Sequence, residues 1–408
     1  MNPVTAVVLG AGSRGENYAS YDRVAPQDLK IVAVAEPRED RRRQFAESHG
    51  IAPENCFASW QELLEKPKMA DAAFVCTMDE DHMEPAMKAL ELGYHILLEK
   101  PMSNREEECI AIEAAAEKAG KHMAVCHVLR YTAFYQTIKN LLDSGAIGEV
   151  MALNQIENVA YWHQAHSFVR GNWRNSVETS PMILAKCCHD MDILLWLTGK
   201  NCKKVQSFGN LGHFRPENAP EGAPKRCLDG CPHAESCVYY APKIYLTGKY
   251  GWPVDVLTTD LTPEGVTKAL QEGPYGRCVY HCDNDVVDRQ IVNLELEDGV
   301  VATHTMTAFT ANCCRQLKIM GTLGQIQADM STNEIYLWPF GGEQRKVEVN
   351  QTDGSGHGGG DYGLLRDFIQ VIREGGESRS SAKASLQSHL ICFAAERSRT
   401  EGGRVIEL

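Results

Sequence analysis

The 408-residue sequence predicts an α/β protein in two parts: a doubly wound parallel sheet at the N-terminus, then an α+β region built on a large antiparallel sheet. Three observations carry that expectation. Up to about residue 127, short β-branched runs alternate with amphipathic stretches, the pattern of parallel strands joined by crossover helices. A glycine-rich string, GAGSRG at residues 10–15, falls between the first such run and the first helix. Beyond residue 290 the period becomes two, with IVNLELE and VVATHTMTAF flanking Asp298-Gly299, a hairpin signal.

In chain order, strands are expected at 5–9, 30–35, 72–76, 95–98 and 122–126, and helices at 38–48 and 83–92. After Pro101, Ser103 with Glu106 three residues on reads as a capping box, for a helix that stops near Gly120. The division predicted is 1–127 and 128–408, the second part carrying a Cys-rich insertion at about 210–285 and terminal helices at 361–374 and 382–397. Those helices are expected to pack back toward the first part.

The glycines of GAGSRG have separate tasks. Gly10 permits a tight turn, Gly12 lets a pyrophosphate approach the backbone, and Gly15 lets the helix pack, with Ser13 and Arg14 between them on the same loop. Glu36 lies 21 residues beyond Gly15, at the end of the second strand, where a carboxylate accepts hydrogen bonds from ribose hydroxyls. This is the Rossmann dinucleotide pattern. The carboxylate repels a 2′-phosphate and so favours NAD, whereas nearby Arg38 is the feature that would suit NADP.

Composition excludes other classes. A net charge of −13, with no basic cluster beyond Arg41 to Arg43, argues against a nucleic-acid partner. No apolar run approaches the roughly 20 residues of a membrane span, so no membrane role is expected. The N-terminus enters a strand without a basic, apolar leader, which points to the cytoplasm; the 15 cysteines then read as free thiols or metal ligands before disulfides.

Further strings resemble the Gfo/Idh/MocA oxidoreductases. They are Thr77 with His82 in CTMDEDHMEPAMKALELG, and Glu99-Lys100-Pro101 after the strand HILL. In that family the Thr…His loop and the Glu-Lys-Pro turn line the nicotinamide, and the lysine points at the substrate. The string His127-Val128-Leu129-Arg130-Tyr131 resembles the family's crossing into its substrate domain, implying Arg130 at the cofactor and His127 and Tyr131 at the substrate.

Within the second part, residues 161–175 form a loop dense in Trp162, His163, His166, Arg170, Trp173 and Arg174, aromatic faces and donors suited to a hydroxyl-rich substrate. A helix is expected from Ser180-Pro181 to Gly199, placing Lys186 and His189 on one face. The family's catalytic histidine lies in a similar H-x-x-D helix, here His189 to Asp192, which implies His189 as proton acceptor and Asp192 at the substrate. Where the polyol dehydrogenases resemble one another in an Asp four residues earlier, this chain has Ala185, with Lys186 beside it. Lys100 and Lys186 are therefore expected to act as two catalytic ammonium groups depressing each other's pKa.

Cys227, Cys231 and Cys237 form a C-x₃-C-x₅-C cluster that suggests structural zinc, with Cys278 as fourth ligand and Cys282 or His281 as alternatives. In DNDVVD (283–288), Asp283, Asp285 and Asp288 lack the glycine and terminal glutamate of an EF-hand, so Asp285 is read as a substrate-hydroxyl ligand. His357 and Asp361 sit in a glycine-rich turn that either closes over the substrate or serves as a flexible linker.

Together these readings predict an NAD-dependent oxidoreductase acting on a secondary hydroxyl of a sugar, polyol or glycoside. It is expected as a homo-oligomer, dimer or tetramer, paired through a broad apolar sheet face. The alternatives are a redox-neutral glycosidase or isomerase with tightly bound NAD, and a cofactor-binding sensor without catalysis.

Overall fold

Two sheets organise the chain in the computed structural model, which describes residues 2–350 and 354–408. The first contains β1 (Val4–Leu9), β2 (Leu29–Ala35), β3 (Cys56–Phe57), β4 (Ala72–Val75), β5 (His95–Leu98) and β6 (Met123–Val125), all parallel, in the order β3-β2-β1-β4-β5-β6. Helices cover both faces, and the central strands are accordingly near-continuous apolar runs; all four residues of β4 are buried. The order reverses between β1 and β4. That reversal opens a crevice at the carboxyl ends of the strands, where the GAGSRG loop, the Thr77 loop and the Lys100 turn all emerge.

The helices α2 (Glu39–His49), α3 (Met83–Glu91) and α4 (Glu106–Ala119) lie where the pattern put them, whereas α1 (Ser13–Ala19) begins inside the GAGSRG string, at Ser13, and two further details differ. The edge strand β3 is two residues long, too short to show a period, and was not expected. The Ser103–Glu106 capping box does not form: α4 starts after Arg105, and Ser103 instead accepts the Arg105 amide (3.2 Å) and donates to Glu108 (2.6 Å). Gly120 does end α4, in the left-handed region at φ 58°.

The second sheet has nine strands: β7 (Val150–Asn158), β8 (Cys202–Asn210), β9 (Arg289–Leu296), β10 (Val301–Thr307), β11 (Cys314–Gly321), β12 (Gly324–Asp329), β13 (Glu334–Pro339), β14 (Arg345–Val347) and β15 (Ile406–Glu407). Their order is β14-β13-β12-β11-β7-β10-β9-β8-β15. The β9–β10 hairpin forms with Leu294 opposite Ala302, its turn carrying Asp298 and Gly299 at positive φ. The sheet is mixed, because β7 inserts between the consecutive strands β10 and β11 and runs parallel to β10. Its inner face (Leu153, Val292, Leu294, Ala302, Leu317, Ile319) joins one core with α5 (Cys188–Thr198) and the C-terminal helix. The open face is not broadly apolar: Met151, Ile156, Ile291 and Val301 are exposed among Asn154, Gln316 and Lys318.

Two expected segments are built differently. Residues 161–170 are helical and finish in a π-helical stretch, Gln164–Arg170, instead of forming a loop. The helix expected across 181–198 is two pieces, Met182–Ala185 and α5, broken at Lys186 and Cys187, so Lys186 and His189 share no continuous face. The terminal helices α6 (Gly360–Glu374) and α7 (Ala382–Thr400) do return to the first sheet. Leu364, Leu365 and Phe368 of α6 enter its core, with Phe368 6.4 Å from Phe74.

Arg130 and Asp192, expected at cofactor and substrate, meet each other instead. Arg130 Nε and Nη2 donate to the two Asp192 oxygens at 2.8 and 2.6 Å, both side chains are buried, and Arg130 also donates to Ala384 O in α7 (3.2 Å). The pair ties α5 and α7 to the end of the first sheet. Among the described residues all cysteines are free thiols, and no helix is long and apolar enough to cross a membrane. Removing one partner leaves an uncompensated buried charge, so Asp192→Ala is expected to lower stability by about 3–5 kcal/mol, read by denaturant unfolding. A loss below about 1 kcal/mol would show that the pair is not a structural tie.

Candidate active site

The glycine loop has the shape its sequence implies. A Cβ on Gly10 (φ +95°) would lie 2.4 Å from Cys76 O, and one on Gly15 would lie 2.1 Å from Gly10 O, so turn and helix pack backbone to backbone. Gly12 is different: its added Cβ would meet only Arg41 Nη1, at 3.7 Å, leaving the backbone open to a ligand. Glu36 is buried, with Oε2 accepting the Ala11 amide (3.0 Å) and Oε1 the Arg38 amide (3.1 Å). Loop and carboxylate are thus fixed to each other, and the open Gly12 face beside a held carboxylate fits a dinucleotide with free ribose hydroxyls. The Arg38 guanidinium pairs with Asp40 (3.0 Å).

Next to this loop, Arg14 donates through Nε to Glu99 (2.8 Å) and through Nη2 to Asp361 (2.7 Å), and Tyr18 donates to the same Glu99 oxygen (2.7 Å). Burial alone would raise the Glu99 pKa, but Arg14 and Lys100 outweigh it and hold the carboxyl below its usual range. Glu99 in turn accepts the Lys100 amide at 2.7 Å. His82 is buried between Pro101 O (2.7 Å) and Thr77 O (3.2 Å), joining the Thr77 loop to the Lys100 turn, while Thr77 donates to Asp81 O (3.0 Å).

Lys100 reaches across the crevice. Its Nζ donates to Ala185 O at 2.7 Å, the carbonyl that ends the short helix just before the Lys186 break. The acceptor is thus a neutral backbone carbonyl. His189, on the first turn of α5, is buried with Nδ1 lacking a hydrogen-bond partner, and its ring lies 5.7 Å from His127 and 6.1 Å from His357. Burial, then Lys100, His127 and Arg315, hold its pKa well below the usual histidine value, so the imidazole is a neutral base at pH 7.

Lys186 departs from expectation. Burial acts to lower its pKa, but Glu157, whose Oε1 lies 3.3 Å from Nζ, more than compensates, and the net shift is upward. It is a stable ammonium, not a depressed partner of Lys100. Arg315 shares Glu157 (3.0 Å) and also binds Asp190 (2.8 Å), to which Gln155 donates at 3.0 Å.

Trp162 and His163 form an aromatic wall with Trp252 of the insertion, ring centroids 5.4 and 5.0 Å away, and His163 Nδ1 lies 3.6 Å from Cys313 Sγ beside Lys186. His357 faces His189, with its Nδ1 3.1 Å from Asp361. Other expected ligands have structural partners. His127 is sealed behind His189. Tyr131 bonds Asp367 (3.0 Å), Ser378 and Ser380; Arg170 is wholly buried and donates to Arg277 O and Tyr239 O, both at 2.7 Å. His166 bonds Tyr245 (3.0 Å), Trp173 donates to Asp79 (3.1 Å), Arg174 grips Asp283 (2.8 and 2.9 Å), and Asp285 accepts both the amide and hydroxyl of Ser176.

Cys227, Cys231, Cys237 and Cys278 line one small cavity with Arg170, behind the helical stretch that carries Trp162 and His163. Tetrahedral zinc would place its sulfurs about 3.8 Å apart. Among the described residues, however, the only three potential ligand atoms within 4.8 Å of one another belong to Cys187, Asp190 and His304. There Asp190 is already engaged by Arg315, whose charge opposes a cation.

Several contributors were not foreseen. Asp79, which takes Trp173 and Ser180 (2.8 Å), lies in an acidic triplet that looks like a solvated turn. Glu157 and Arg315 occupy inward positions of β7 and β11, and a charge on the apolar side of an alternating strand was the available signal.

Two family profiles cover the chain. The profile described as oxidoreductase family, NAD-binding Rossmann fold, matches residues 4–127, and that of the family's C-terminal alpha/beta domain matches residues 139–408. The chain belongs to the Gfo/Idh/MocA oxidoreductase family, and its first part is that family's NAD-binding Rossmann domain. It is 24% identical over 343 residues to the Bacillus subtilis protein YteT, covering 80% of this chain and 78% of that one. It is 26% identical over 200 residues to inositol 2-dehydrogenase of Ralstonia nicotianae, covering 49% of this chain and only 56% of the relative, about half its length. In fold it is similar to levoglucosan dehydrogenase in complex with NADH and levoglucosan: TM-score 0.75, 19% identity, 100% of this chain and 99% of that one.

If His189 is the base, the active form is the deprotonated one, present above its depressed pKa. The acid limb of kcat/KM should therefore lie below pH 6.5 and the profile be flat in this group from pH 7 upward. A pH series settles this; a limb at or above 6.5 contradicts the assignment.

Proposed function

We propose that the chain oxidises a secondary hydroxyl of a sugar, polyol or glycoside, with Lys100 and His189 as the groups that handle the hydroxyl and its proton. The observation that carries this reading is the Lys100 Nζ to Ala185 O bond, which fixes an ammonium at the carboxyl edge of the parallel sheet beside a buried neutral imidazole. NAD, held by the Gly10–Gly15 loop and Glu36, supplies the hydride acceptor. Lys100 donates to the substrate oxygen and orients it; His189 takes the hydroxyl proton as the carbonyl forms. The wall of Trp162, His163 and Trp252 suits the apolar face of a sugar ring. The exposed sheet face, with Ile291 and Val301, is the surface proposed to pair copies of the chain.

Sugars, inositols and glycosides assayed for NADH formation test the reading. The wild type should reduce NAD with at least one, and Lys100→Met should retain NAD binding while kcat falls about 10²–10⁴-fold. Turnover without net NADH would assign the redox-neutral alternative, and unchanged kcat in Lys100→Met would refute the role of the lysine.

Structural zinc at Cys227, Cys231, Cys237 and Cys278 is a separate proposal. It rests on their shared cavity and on buried Arg170, whose Nη2 lies 3.7 Å from Cys227 Sγ, where thiolates would give the guanidinium a counter-charge. The thiols would have to close on the metal. Metal analysis of the purified protein should then give about one zinc per chain, lost in Cys231→Ser; a wild type free of zinc overturns the proposal.

A further inference from the structure

A buried base that accepts a proton in each turnover must also release it. His189 has two histidine ring neighbours through which the proton could leave, His127 and His357. The His127 side is closed. His127 is wholly buried, and beyond it His389 uses both ring nitrogens, Nε2 accepting the Met102 amide (2.9 Å) and Nδ1 bonding Ser385 O (2.9 Å). His357 is the neighbour that touches solvent, with 38% of its side chain exposed.

The surroundings of His357 are organised for one task. Its Nδ1 is engaged by Asp361 (3.1 Å), which leaves Nε2 to gain and lose a proton. Asp361 is itself fully buried and fixed by Arg14 (2.7 Å) and Asn17. The turn that presents the ring runs through three consecutive left-handed residues, His357 (φ 53°), Gly358 (φ 65°) and Gly359 (φ 90°). A non-glycine residue held there is strained, which a mere linker would relieve. The charged and titratable groups facing His357 are Asp361 on α6, Arg14 on α1, Lys186 at the helix break and His189 on α5.

We infer that His357, backed by Asp361, is the exit through which the proton taken up by His189 reaches solvent. The inference rests on the proposed dehydrogenase reading. The balance is complete: the substrate C–H bond breaks with its electron pair passing to NAD⁺ to give NADH, the O–H bond breaks as C=O forms, and the proton moves from His189 to His357 and on to water or buffer. The 6.1 Å between the rings is a span that one bridging water can serve.

The test uses the full chain with NAD and a substrate that the wild type turns over. In dilute buffer at pH 7, His357→Asn and His357→Gln should each lower kcat by about tenfold or more. Added imidazole should restore kcat in proportion to its concentration, while the NAD dissociation constant stays within twofold and wild-type kcat does not respond. Loss of kcat without rescue, or no loss at all, overturns the exit role and leaves the dehydrogenase reading intact. A wild type that forms no NADH with any substrate overturns both.

Discussion

The geometry of the site depends on one guanidinium. Arg14, two residues beyond the open Gly12, joins Glu99 at the end of β5 to Asp361 at the start of α6, residues that lie 85 and 347 positions away in the chain. Through Glu99 it sets the Lys100 turn; through Asp361 it sets the His357 turn. Both carboxylates are almost entirely withdrawn from water, so without Arg14 each would be a buried charge lacking its partner. The cofactor loop, the lysine and the second histidine are therefore positioned together.

The same logic of pairing runs through the crevice, with one exception. Arg14 has Glu99 and Asp361, Arg315 has Asp190 and Glu157, and Lys186 has Glu157. Lys100 alone among these cations rests on a neutral carbonyl, Ala185 O. Its charge bears on His189, where it adds to burial, the larger cause, in driving the histidine toward its neutral form. The break after Ala185 serves this arrangement by presenting a helix carbonyl to a group from the other sheet.

The Cys-rich insertion contributes to the same crevice from outside. It brings Trp252 against Trp162 and His163, and it touches the first part of the chain where Thr259 donates to Asp40 (3.1 Å) near the nucleotide loop. Its own interior is two small clusters, one around Phe214, Tyr239 and Tyr280 and one around Tyr245, Val266 and Leu270. So little apolar volume explains why buried Arg170, donating to two of its carbonyls, is spent on holding it and not on a substrate.

The sequence alone determined what is written in local chemistry. The parallel strands, the tight backbone packing at Gly10 and Gly15, Glu36 beside the loop, the Asp298-Gly299 hairpin and the stop at Gly120 each follow from a few neighbouring residues whose backbone or periodicity permits one outcome. The tertiary structure decided which charged group meets which. Arg130 and Asp192, Arg174 and Asp283, Arg170 and the insertion carbonyls, and Lys186 and Glu157 were each plausible ligands when read singly, and only the fold shows them consuming one another. The reason is physical: a side chain's type sets what it can bond to, but in a low-dielectric interior the partner within reach, fixed by elements far apart in sequence, decides whether that capacity is left for a substrate.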